Sequence, residues 1–164
     1  MTPDKLALRY CVRRFRGSTL VDEEIVNNII PAEGIALLSD ALFHGGALPA
    51  AWYMGLYETN YTPTGSVTAA TINALATEST VYDETTRPLF VGVTQSVGVV
   101  NNAASPAVFT FNATKNIYGG FLSSSPTKAN PSGVLLSVVK FATVKPVDSS
   151  LRLEVEGGLT LVSA

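Results

Sequence analysis

From residue 51 onward the apolar positions recur mostly at every second residue, the spacing of a strand that buries one face. Trp52 to Tyr57 reads as an aromatic-rich strand, Leu89 to Val93 as the next, and Gln95 to Val100 as another ended by Asn101-Asn102. Ala107 to Asn112 places Phe109 and Phe111 on one face. Ile117 to Leu122 carries Gly119-Gly120 in its middle, which predicts a bulge or a close backbone approach. Val134 to Phe141 is apolar on both faces, so it belongs in a sandwich centre or beneath a subunit contact. Leu151, Leu153 and Val155 alternate with Arg152, Glu154 and Glu156, and Leu159 to Val162 extends that strand past Gly157-Gly158.

Two stretches break the two-residue period. Residues 31–46 have Ile35, Leu38 and Leu42 on one stripe, Pro31 and Glu33 suited to a first turn, and Gly45-Gly46 as a stop. They predict a helix at about 32–44 that covers a sheet edge or face. Residues 59–80 are polar and Thr-rich, with a second short helix available over Ser66 to Ala76 through Val67, Ile72 and Leu75. A connection that long is usually functional or covered by a partner.

In residues 1–30 the pattern leaves two readings open. Leu6, Leu8, Tyr10 and Val12 alternate like a strand, while Leu6, Tyr10 and Arg14 could line a helix. The segment is either a solvated arm or half of an edge hairpin, or an arm that lies across a neighbouring subunit. The whole predicts a mainly β protein: an antiparallel, jelly-roll-like β-sandwich over 31–164 with one N-terminal helix, preceded by an extended arm over 1–30.

Composition narrows the chemistry. Charged residues make up 15% of the 164, well below the usual quarter, which suggests a surface partly covered by other subunits. Five of the eleven basic residues, Lys5, Arg9, Arg13, Arg14 and Arg16, fall in one run, with Asp22-Glu23-Glu24 soon after. The net charge of −2 argues against a general nucleic-acid binder. No apolar run is long enough for a membrane-spanning helix or a secretory signal, and unpaired cysteine fits assembly in a reducing cytoplasm.

Catalysis finds few tools. His44 is the only imidazole, at the end of the predicted helix before Gly45-Gly46, and no Gly-x-Ser-x-Gly elbow offers it a nucleophile. Cys11 lies among arginines, which would lower its pKa, but the reading favoured for it is a half-buried structural thiol and not a reactive one. One His and one Cys cannot build the usual zinc site, and no phosphate-binding or calcium-binding loop is present. Neither a metal nor a cofactor is expected. Trp52, Tyr53, Tyr57 and Tyr61 could stack on sugars or fill a core, and their apolar neighbours favour the core.

Several pieces occur in an order that resembles a family of small virion structural proteins of tailed bacteriophages. They are Asn28 to Leu38 followed by Leu42-Phe43-His44-Gly45-Gly46, the strand Trp52 to Leu56, and the stretch Glu84-Thr85-Thr86-Arg87-Pro88. Phe109 to Phe111, Ile117 to Leu122 and Leu151 to Val155 complete the set, while residues 1–25 have no counterpart. The resemblance implies a non-enzymatic virion part. A basic arm, a compact β body and no fibrous repeat favour a capsid decoration, or cement, protein on the capsid surface; a tail or collar module that recognises glycan is the alternative. The implied partners are the major capsid protein and the chain itself, as a homotrimer. The arm cations Lys5, Arg9, Arg13, Arg14 and Arg16 would contact a neighbour, and Trp52, Tyr53, Val134, Leu136 and Val138 would lie near the subunit interface.

Overall fold

The computed structural model describes residues 7–160, and it is mainly β with two antiparallel sheets. The larger sheet contains β1 (Ala7–Arg16), β2 (Thr19–Asn27), β4 (Val93–Ser96), β5 (Val99–Asn101), β6 (Ala107–Thr110) and β9 (Leu151–Thr160). Its order is β2-β1-β9-β5-β4, with β6 on the same side of β9 as β5. The smaller sheet runs β3 (Tyr53–Tyr57), β7 (Lys115–Ser123), β8 (Leu135–Val147). Two helices, α1 (Ala32–Phe43) and α2 (Ala69–Ala76), complete the chain.

The two-residue period explains the main core. Tyr10 and Val12 of β1, Phe109 of β6, and Leu153 and Val155 of β9 face inward from the larger sheet. Met54 and Leu56 of β3, Ile117 and Leu122 of β7, and Val139 and Phe141 of β8 meet them from the smaller one. A hydrogen bond of 2.5 Å between the Tyr10 hydroxyl and Ser137 Oγ joins the sheets inside this core. The smaller sheet is covered on its other face as well. Tyr57, Phe121, Leu135 and Val138 pack there against Val67, Ala69, Ile72 and Ala76. The two-sided apolar strand at 134–141 is therefore buried by the chain's own core and by α2. Gly119 is the close approach that its strand predicted: a Cβ there would collide with the Tyr57 ring and the Val139 carbonyl.

The first thirty residues do not stand apart from the body. Residues 9–27 pair as a hairpin turning at Gly17, and β1 also pairs with β9 over its whole length, from Ala7 opposite Thr160 to Arg16 opposite Leu151. Leu8, Tyr10 and Val12 are buried, which pulls the alternating strand into the sheet instead of leaving it as an arm. Ladder pairs thus cross the expected boundary at residue 30. Two further boundaries move. The strand expected at 95–100 is a tight hairpin, β4 and β5, turning at Val97-Gly98. Gly157-Gly158 does not interrupt β9, which runs through to Thr160.

Candidate functional site

The sequence directs attention first to the basic run. Lys5 lies outside the described residues. Arg13 Nε is 2.5 Å from Glu23 Oε2, and its Nη1 also donates to Glu156. Arg14 Nε is 3.0 Å from Asp22 Oδ1. These partners are fixed by register, since Arg13 stands opposite Glu23, and Arg14 opposite Asp22, across the hairpin. The acidic run therefore pairs with the basic run of the same hairpin, and Arg13 and Arg14 are not the free cations that contact with a neighbour would need. Arg9 and Arg16 form no ion pair among the described residues.

The same acids reach a residue the pattern did not flag. Lys145, buried on β8, has its ammonium 3.1 Å from both Asp22 Oδ2 and Glu24 Oε2. Glu24 also accepts from the backbone N–H groups of Ala142 and Thr143, where β8 leaves its regular pairing with β7. The acidic run is thus a set of salt-bridge partners, and through Lys145 it stitches β2 to β8.

A second buried pair organises the loops between strands. Arg87 is 1% exposed and grips Glu78 bidentately, Nε to Oε1 at 2.8 Å and Nη2 to Oε2 at 2.6 Å. Its Nη1 donates to the Ser125 carbonyl at 2.9 Å, and its guanidinium lies over the Phe121 ring. Glu78 Oε2 accepts in addition from the N–H of Ala129. Arg87 belongs to the Thr-Arg-Pro stretch that carried part of the resemblance, and its work here is to bind the loops around 78–88 and 123–130 to the small sheet. Nothing in the spacing of Glu78 and Arg87 marks them as partners.

The strands expected near a subunit contact are mostly turned inward. Val138 is completely buried, so it cannot touch another subunit. Trp52 and Leu136 are half-buried against the main core, and Tyr53 and Val134 are half-buried at strand ends. The apolar surface lies elsewhere. On α1, Ile35 is 53%, Leu42 75% and Phe43 80% exposed. The expected stripe of Ile35, Leu38 and Leu42 does not cover a sheet. The helix is anchored instead at its start, where Gly34 packs on the β8 backbone and Glu33 accepts from the N–H groups of Ala69 and Leu135. On the β4–β5 hairpin, every residue from Val91 to Val97 is exposed, Val97 completely.

The residues weighed for catalysis are apart. The His44 imidazole is exposed at the end of α1, 3.5 Å from Asp40 one turn earlier. Cys11 lines a cleft of about 290 Å³ on the outer face of the larger sheet, with Arg9, Arg13, Ile25, Val99 and Glu156 around it. Desolvation pushes the Cys11 thiol up to about 11, and Arg13 only partly offsets this, so the arginines do not activate it. No group of three His, Cys, Asp or Glu residues with metal-binding geometry occurs among the described residues.

A scan against protein-family models finds no match, and a search of curated proteins finds none either. No helix of the described residues is long and apolar enough to cross a membrane.

Proposed function

We propose that this chain is a structural protein of a tailed-phage virion, a decoration subunit that binds the outer capsid and stabilises the junctions between capsomers by contact instead of catalysis. The observation that carries this reading is an uncharged surface. Between Arg87 and Lys115 there is no acidic residue, no basic residue and no histidine. Within that span the exposed β4–β5 hairpin presents Val91, Val93 and Val97 to solvent. A small protein rarely leaves so large an apolar, uncharged stretch uncovered unless another surface meets it. The order of sequence pieces that resembles small virion proteins adds support, and the partner it suggests is the major capsid protein. Glycan recognition at a tail or collar has less behind it, because Tyr57 is fully buried and Trp52 packs on the core.

The test is addition of purified protein to capsids that lack decoration, followed by heating. Binding, and rupture at a higher temperature than in bare capsids, is the expected result. Val93→Lys with Val97→Lys should weaken that binding at least tenfold. Capsids that neither bind the protein nor gain heat resistance would refute the reading.

A further inference from the structure

We infer that α1 is a self-association surface and that its occupant is α1 of a second copy of this chain. The inference goes beyond the virion reading and does not depend on it. It also places self-contact away from the strands that the sequence suggested, which are mostly turned inward.

Helix α1 is held to the body at its start. Glu33 and Gly34 fix its first turn: the Glu33 carboxylate is engaged by Ala69 and Leu135, and a Cβ on Gly34 would lie 2.7 Å from the Leu136 carbonyl. Gly34 is the one fully buried residue of the helix, and Leu37, Leu38 and Ala41 are half-covered. Going round the axis at 3.6 residues per turn, Ile35 and Leu42 lie together beside this inner face. Phe43 projects next to them, and Leu48 is exposed in the segment that follows. The helix thus turns an apolar flank outward between Ile35 and Phe43.

Two features of that flank select a second copy. The first is spacing. Ile35 and Leu42 are seven residues apart, one heptad, so they stand on one flank with the half-covered Leu38 at its inner border, the spacing at which like helices interlock. The second is charge. Between Glu33, which is engaged internally, and the end of the helix the only ionisable side chain is Asp40, which faces His44 one turn on. Two copies of this flank therefore meet without like-charge repulsion, whereas a charged partner would be desolvated with nothing opposite it. The exposed parts of Ile35, Leu42, Phe43 and Leu48 amount to on the order of 500 Å² per copy. A pair that covered all of it would bury about 1,000 Å², the low end of specific interfaces, the class of weak associations.

Sedimentation equilibrium of the purified chain across about 1 to 100 µM tests for association of that class. The expected mass rises with concentration from 17.3 kDa to at least twice that value. Leu42→Lys, a change at an exposed site, should weaken association at least tenfold with an unchanged circular dichroism spectrum, while Val97→Lys should leave association as it was. The unmodified protein supplies a readout that needs no variant: amide exchange over residues 35–43 should slow as concentration rises. A chain that stays monomeric throughout overturns the inference. So does association that persists in Leu42→Lys, that is lost in Val97→Lys, or that leaves exchange over 35–43 unaltered.

Discussion

Replacing Arg87 by Ala tests how far a single buried pair holds the loops to the β body. The substitution leaves the Glu78 carboxylate buried, with the Ala129 N–H as its remaining donor. It also removes the donor to the Ser125 carbonyl and the cation over Phe121. Breaking a buried pair from one side costs about 3–5 kcal/mol, because one charge stays desolvated without its partner. A domain of this size has a total stability of roughly 5–15 kcal/mol, so the loss is a large fraction of the whole. At about 2–4 °C per kcal/mol, the melting temperature should fall by about 6–20 °C. Urea unfolding measured by fluorescence and circular dichroism gives the energy, and calorimetry gives the temperature. The double variant Glu78→Gln with Arg87→Met removes both charges and should recover a substantial part of the loss. A stability for Arg87→Ala within about 1 kcal/mol of the parent would refute the reasoning, since an exposed pair costs no more than that.

Other expectations follow from single positions. Asn102 is buried and spans the gap between β5 and β6 on β9, its Nδ2 donating to the Val155 carbonyl and its Oδ1 accepting from the Gly157 N–H at 2.7 Å. Asn102→Ala should therefore cost about 2 kcal/mol in urea titration, because both backbone groups lose their partner. Gly34→Ala should cost about 1–3 kcal/mol by the same assay, since its Cβ meets β8 carbonyls and α1 must shift. Cys11 should alkylate slowly at pH 8 and reach half its limiting rate near pH 11. Its folded pKa lies above the ordinary value of 9.0, so this contribution to stability is complete below about pH 9 and is lost as pH rises towards 11, which unfolding midpoints across that range will show.

The strands were legible where one face is buried and the other wet. Leu151 to Glu156 is the clearest case, because each apolar residue there is buried and each charged one is partly exposed. Helix α2 was visible through Val67 and Ile72, although its third expected contact, Leu75, points outward and Ala69 and Ala76 replace it. The N-terminal segment was legible in part: half of an edge hairpin was one of its readings and the register bears it out, whereas the reading as an arm across a neighbour rested on charge taken along the chain. Its basic and acidic runs flank Gly17 at a spacing that lets a hairpin set Arg13 against Glu23, and reading across that turn would have cancelled the charges. The Glu78–Arg87 pair and Lys145 had no local signal, since their partners are chosen by loop and sheet packing. Helix α1 carried the right period, but periodicity marks an apolar face without saying whether the same chain covers it.

Strand β9 pairs with β1, β5 and β6, so one strand near residue 155 completes the larger sheet for three others. Its partner β1 is separated from it by most of the described chain. At translation rates of about 5–20 residues per second, β1 is made about 7–27 seconds before β9 begins. Until then β1 has only the β2 ladder within its own sheet. Completion of the larger sheet therefore waits for its late strand, and setting β1 against β9 closes a long loop. Chains cut short before residue 151 lose one ladder each from β1, β5 and β6 together, and a cell's proteases would remove such incomplete chains.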